Sequence, residues 1–282
     1  MNIFCIGIGL IGGSFAIDIK QNYSDATIYG ISRKEATINN ALALGLIDKK
    51  ATLDDLKIAD IVIISIPVDA TVKLLPTVLD KINDSTLVFD AGSTKESICK
   101  VVEHHKRRSN FLACHPIAGT ENSGPSAAIS GLYNGKTNII CEVEKTTFKL
   151  QEKALDLFRA IGMRIRYMDP IAHDKHIAYV SHLSHISSFM LGKTVLDKEK
   201  NEKDIFDMAG SGFASTVRLA KSSPAMWAPI FQQNKTNVLE TLKEYIANLQ
   251  DFKNALQKDD FETIYNEMEK TNYIKQILNG IK

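Results

Sequence analysis

The sequence predicts an α/β protein in which a doubly wound, largely parallel sheet is followed by an all-helical dimerisation segment, and three observations carry that reading. From Asn2 to about Arg166, short β-branched apolar runs alternate with helical patterns, the rhythm of βαβ units. A glycine-rich turn joins the first apolar run to the first helical pattern. Past Met168-Asp169-Pro170 the period changes, and everything that follows reads as helix.

The apolar runs are 3–8, 27–31, 61–66, 87–90, 111–114 and 137–143. The helical half divides into segments 171–196, 202–221, 224–256 and 259–281, separated by punctuation such as Gly210-Ser211-Gly212 and Ser222-Ser223-Pro224. We therefore place one domain over 1–168 and a second over 169–282, a division that suits a chain of 282 residues. The segment 224–256 is long for a small domain. A helix of that length buries its apolar stripe fully only against another subunit, which predicts a homodimer through the helical domain.

Composition narrows the partners. Hydrophobic residues at 44% and charged residues at 24% describe an ordinary globular protein, and a net charge of +1 gives no electrostatic reason to expect nucleic acid or an anionic membrane. The expected partner is a small molecule. Cys5, Cys99, Cys114 and Cys141 form no CxxC pair, which suits buried reduced thiols and a cytoplasmic protein better than disulfides or a zinc site. A strand-like run begins at Asn2, which leaves no room for a targeting peptide, and no apolar stretch approaches the roughly eighteen residues that span a bilayer.

The first run leads straight into Gly7-Ile8-Gly9-Leu10-Ile11-Gly12, the GxGxxG of a Rossmann-type dinucleotide site in its required place between strand and helix. Gly7 permits the tight turn, Gly9 lets a pyrophosphate approach the backbone, Gly12 allows close helix packing, and the N–H groups about Leu10 and Ile11 face the phosphate. Ser65 and Pro67, where the run 61–66 ends, complete the expected cofactor contacts. A site selective for NAD places an acidic residue at the end of the second strand. This chain has Ser32-Arg33-Lys34 there, and an arginine that forks onto a 2′-phosphate favours NADP over NAD. The plainer explanation, a solvated helix start, predicts a site open to both.

Two further segments fall at the carboxyl ends of the sheet, Asp90-Ala91-Gly92-Ser93-Thr94-Lys95 and His115-Pro116-Ile117-Ala118-Gly119-Thr120-Glu121. His115 directly follows a strand. It reads equally as a general base beside a nicotinamide or as a structural imidazole. Ser93 either orients that ring or caps a helix. His173, His176, His182 and His185 crowd one predicted helix. At about 100° per residue His173 and His182 lie on opposite sides, as do His176 and His185, so the set does not converge on a metal and none is expected. Arg218, among small and apolar residues, either forks onto a substrate carboxylate or snorkels along a helix surface.

Taken together, these segments resemble the prephenate and arogenate dehydrogenases of tyrosine biosynthesis over nearly the whole chain. The resemblance rests on Gly7-Ile8-Gly9-Leu10-Ile11-Gly12-Gly13-Ser14, on 115–121, on Ser181-His182-Leu183-Ser184-His185, and on Gly210-Ser211-Gly212-Phe213 leading through Arg218 to Trp227. It implies oxidative decarboxylation of a cyclohexadienol, with hydride passing to NAD(P). It also implies that His115 accepts the ring-hydroxyl proton, that Ser93 is its hydrogen-bonding partner, and that Arg218 clamps a carboxylate. His185 would contact the side-chain end of the substrate, and Glu121 would be a polar gate. Ser211 departs from the glycine-rich triplet expected before Phe213, which bears on substrate preference. No chorismate mutase segment or regulatory domain fits within this length, so a monofunctional form is expected.

Two alternatives use the same fold. A relative of the β-hydroxyacid dehydrogenases or imine reductases would work through a lysine of the first long helix, for which Lys175 and Lys193 are available. A non-catalytic NADP-binding sensor would bind the nucleotide and turn over nothing.

Overall fold

The computed structural model describes residues 1–200, 202 and 204–279. Its contacts divide the chain into two compact units, Met1–Asn234 and a second that begins at Lys235.

The first unit is built on a sheet of eight strands among the described residues, β1 (Asn2–Ile6), β2 (Thr27–Ile31), β3 (Lys49–Lys50), β4 (Ile61–Ile64), β5 (Leu87–Asp90), β6 (Phe111–Pro116), β7 (Thr137–Cys141) and β8 (Arg164–Met168), in the order β3-β2-β1-β4-β5-β6-β7-β8. All neighbours run parallel except β6 and β7. The order reverses between β1 and β4, so a crevice opens outside their carboxyl ends, where folds of this class bind ligands. Six strands lie where the apolar runs predict them. β8 went unread because its residues alternate charged and apolar, as an edge strand allows, and β3 is too short to leave a pattern.

Strand periodicity sorts the core into two layers. On one face Ile3, Cys5, Ile63 and Phe89 pack with Phe15 and Ile19 of α1 (Leu10–Asn22). On the other, Phe4, Ile6, Val62, Ile64 and Val88 pack with Leu75, Val78 and Leu79 of a later helix, 68–81. In chain order the remaining helices of the sheet region are α2 (Glu35–Ala43), α3 (Val68–Lys81), α4 (Glu96–Val101) and α5 (Phe148–Ala160).

The chain then enters α6 (Pro170–Ile177), where Pro170 supplies the first helical residue and Asp169 caps it by accepting from the Ile171 and Ala172 amides. A π turn, Ala178–His182, joins α6 to α7 (Leu183–Glu199). The predicted helix 202–221 is instead a set of short turns around α8 (Ser211–Thr216), because Gly210 and Gly212 weaken it; its position 203 lies outside the described residues. The predicted helix 224–256 is also broken, into α9 (Pro224–Gln233) and α10 (Lys235–Gln257), with Asn234 between them. Trp227 and Ile230 of α9 join the second core layer, so the first compact unit runs on through α9 to Asn234.

The second unit comprises α10, α11 (Phe261–Thr271) and α12 (Ile274–Asn279). The predicted end of the last helix, at 281, lies outside the described residues. Asp260 caps α11 by accepting from the Thr263 amide.

Candidate active site

The nucleotide turn has the geometry its glycines imply. Gly7 adopts φ +93°, a left-handed backbone, and its amide donates to the Ile31 carbonyl at 3.1 Å. A Cβ on Gly7 would lie 2.6 Å from the Ser65 carbonyl oxygen, and one on Gly12 would lie 2.1 Å from the Gly7 oxygen. Ser65 closes the turn by donating from Oγ to the Gly7 oxygen at 2.7 Å. Gly9 differs from both, since the nearest atom to a Cβ there is the Gly124 nitrogen at 3.9 Å. Gly9 is also the N-cap of α1, whose first turn holds no acidic residue. An open glycine face above the free N–H groups of Leu10 and Ile11 therefore fits a dinucleotide pyrophosphate.

The segment after β6 lies against this turn. Ile129 donates its amide to Ser14 Oγ at 3.0 Å, Gly131 donates to Asp18 Oδ1 at 2.7 Å, and Tyr133 donates its hydroxyl to the Ile11 carbonyl at 2.6 Å. These bonds fasten 129–133 across α1 and hold 117–128 beside the cofactor turn. At the end of β2, Ser32 accepts from the Lys34 amide while Arg33 is exposed, its guanidinium in no hydrogen bond or ion pair among the described residues. Pro67 is exposed just beyond β4.

His115 lies inside β6, opposite Ile139 of β7, and is buried. Burial is the main cause that holds its pKa well below the usual 6.5, and the neighbouring His173, Lys95 and His182 add to it. The ring is neutral. Its Nδ1 sits 2.8 Å from Nε2 of His173, and His173 Nδ1 sits 2.7 Å from Oδ1 of Asp174. Asp174 in turn accepts from the Lys95 amide at 2.7 Å and the Glu96 amide at 3.0 Å, and so caps α4.

Behind the imidazole, Lys95 is fully buried in an ion pair with Asp90 and donates to the Cys114 carbonyl at 2.6 Å. Asp90 also accepts from the amides of Gly92 at 2.8 Å and Cys114 at 3.1 Å. This satisfied buried network pins the ends of β5 and β6 together immediately before His115.

Ser93 makes no hydrogen bond to the ring among the described residues. The hydrogen-bonding partner of His115 is His173, and α4 begins at Glu96, so Ser93 does not cap that helix either. His173 reaches the ring from α6, 58 positions along the chain. The histidine-rich helix also departs from ideal phase. With the π turn inserted, His173 and His182 are both buried, and each lies near enough to His115 to oppose a charge there. His182 Nδ1 accepts from Asn234 Nδ2 at 3.1 Å, and the same amide donates to the Asp174 carbonyl at 2.6 Å. His185 stacks on Trp227 with ring centroids 3.5 Å apart, and its pKa is lowered by burial. His176 and Lys175 are exposed on α6, and Lys193 is paired with Asp197 in solvent.

Arg218 lies in a short turn after α8, and its Nη1 donates to Oε2 of Glu121 at 3.0 Å. Glu121 closes the 115–121 motif that starts at His115, so the structure ties the arginine to the same segment as the imidazole. The Arg218 side chain is about half exposed, open to an incoming anion.

A parallel sheet with a dinucleotide turn at its switch point, and a buried neutral imidazole at the head of the segment whose Glu121 pairs with Arg218, together define a nucleotide-dependent oxidoreductase framework. The chain belongs to the prephenate dehydrogenase family: residues 15–167 match the family's nucleotide-binding domain and 169–270 its dimerization domain. It is 32% identical to prephenate dehydrogenase of Bacillus subtilis (strain 168), over 93% of this chain and 72% of that one. It is 29% identical to cyclohexadienyl dehydrogenase of Zymomonas mobilis, over 92% and 89%. The crystal structure of Aquifex aeolicus prephenate dehydrogenase with hydroxyphenyl propionate and NAD+ superimposes with a TM-score of 0.89 at 29% identity, covering 99% of this chain and 98% of that one.

Proposed function

We propose that the chain oxidises prephenate or arogenate, a cyclohexadienol with a ring carboxylate, releasing carbon dioxide as the ring becomes aromatic in tyrosine biosynthesis. The observation that carries this reading is the neutral, buried His115 at the head of the segment that ends in the Glu121–Arg218 pair. A base held neutral accepts the substrate hydroxyl proton, and the electrons of the breaking carbon–carboxylate bond enter the ring. A bound nicotinamide supplies the hydride acceptor. Arg218 exchanges Glu121 for a substrate carboxylate, His185 on its Trp227 platform contacts the far end of the substrate, and Glu121 gates the pocket. Ser93, without a part in the imidazole network, borders the nicotinamide. Gly7, Gly9, Leu10, Ile11 and Gly12 hold the pyrophosphate, and Ser65 and Pro67 border the nicotinamide half.

Arg33, exposed at the end of β2 and without an ion pair among the described residues, supports a preference for NADP over NAD, although the Aquifex relative was crystallised with NAD+. We further propose that 1–168 is the nucleotide-binding domain and 169–282 the substrate and dimerisation domain. The homodimer covers Leu239, Ile246, Leu249, Phe252 and Leu256 of α10, all exposed in the single chain. Free, buried cysteines support a cytoplasmic location. The test mixes purified protein with prephenate or arogenate and each nicotinamide cofactor and follows absorbance of the reduced cofactor. Reduction with one ring substrate, lost in His115→Asn, is expected. No reduction with either substrate overturns the reading.

A further inference from the structure

We propose that His173 and Asp174 are positioning residues that set the tautomer of His115 and leave its Nε2 as the proton acceptor, an inference that rests on the reading of His115 as the base. The argument starts at Asp174, which is 2% exposed and receives two backbone amides, Lys95 N on Oδ1 and Glu96 N on Oδ2. A carboxylate held by donors is itself only an acceptor, so the 2.7 Å contact is a bond from His173 Nδ1–H to Oδ1.

In the arrangement we infer, His173 carries its one proton on Nδ1 and its lone pair on Nε2. That atom faces His115 Nδ1 at 2.8 Å, and two lone pairs cannot face each other at that distance, so His115 donates from Nδ1–H. The one proton of the neutral His115 ring is thus spent inside the protein, and Nε2 is left basic. The opposite arrangement, a doubly protonated His173 donating to His115, would put the proton on Nε2 and disable the base.

The same chain supports the ring once it has taken a proton. His115 faces His173, His182 and the buried Lys95, all of which oppose a positive charge. Asp90 is committed to Lys95, and the Cys114 thiol is held protonated by burial. Asp174 is therefore the carboxylate left to answer the imidazolium, through the His173 ring. The step is a proton transfer: the substrate O–H bond breaks, its electron pair stays on oxygen, and the Nε2 lone pair of His115 takes the proton.

The full-length protein labelled with ¹⁵N-histidine tests this directly. Two-bond ¹⁵N–¹H correlation at neutral pH is expected to show His115 as the Nδ1–H tautomer, its signals assigned by their loss in His115→Asn. Asp174→Asn and His173→Gln are expected to lower kcat by about 10² to 10⁴-fold with KM little changed. In Asp174→Asn the acid limb of kcat/KM moves to lower pH, because the charge that favours protonated His115 is gone. An Nε2–H tautomer in the wild type overturns the proposal, as does a folded Asp174→Asn with wild-type kcat and pH profile. If Asp174→Asn fails to fold, the wild-type spectrum and His173→Gln, which keeps both amide bonds to Asp174, decide the matter. Full turnover in His115→Asn would instead sink the base itself, so the two failures are distinct.

Discussion

Replacing Gly9 and Gly12 with alanine, separately, should break the same site for opposite reasons. At Gly12 the new methyl would sit 2.1 Å from the Gly7 oxygen and 2.4 Å from Ser65 Oγ, where real Cβ atoms keep beyond 3.0 Å. The obstacle is backbone, so α1 and the β1 turn must part by roughly an ångström, and overpacking of this kind costs about 1–3 kcal/mol. The Ser65–Gly7 bond that closes the turn is strained with it. A displacement of that size at a positioning element costs on the order of 10²-fold in turnover. At Gly9 the methyl meets nothing nearer than 3.9 Å, so the free protein accepts it, but the methyl occupies the face through which a pyrophosphate approaches. Thermal melting and cofactor titration separate the two. Gly12→Ala should lose several degrees in melting temperature as well as activity, whereas Gly9→Ala should melt like wild type and bind cofactor at least tenfold more weakly. A Gly9→Ala protein with wild-type cofactor affinity would refute the placement of the pyrophosphate.

Three further outcomes follow from the site. Arg33→Ala should erase the preference for NADP while leaving kcat/KM with NAD within about twofold, and an unchanged cofactor ratio would refute the role of that turn. Arg218→Ala should raise the substrate KM by about 10 to 100-fold with a smaller effect on kcat, the worth of a charge-assisted bond, so a change confined to kcat would count against the clamp. His182 sets a pH dependence of stability. Its folded pKa of about 4, lowered chiefly by burial, lies beneath the ordinary 6.5, so the unfolded chain binds the proton more readily. Its contribution is therefore complete above pH 6.5 and lost as pH falls towards 4, to a total of about 3 kcal/mol. Urea unfolding across that range should show a shallower fall in His182→Asn than in wild type. Identical slopes would place the titration elsewhere.

The features that the sequence made legible are those carried by short-range physics. Alternation of β-branched runs with helical periods marked six strands, and the position of GxGxxG between strand and helix located the nucleotide turn. Pro170 with its Asp169 cap marked where α6 starts. The helical half was harder to read because its breaks depend on distant partners. Asn234 interrupts the predicted helix 224–256 while its side-chain amide donates to the Asp174 carbonyl and to His182, some sixty and fifty residues away in sequence. The π turn at Ala178–His182 likewise leaves no local signature, and it departs from the even helical phase from which the orientations of His173 and His182 are read in the sequence.

The sequence by itself determined the elements and the residue types that chemistry requires: a glycine turn, a histidine at a strand end, an arginine among small residues, a family resemblance. Only the tertiary structure decided which groups meet. Ser93, twenty-two positions from His115, was the expected partner, yet the ring hydrogen-bonds to His173, fifty-eight positions away. Sequence separation says nothing about this choice, because a side chain on β6 reaches whatever the packing of α6 and α4 brings to it, and Asp174 settles that packing by accepting two amides at the start of α4.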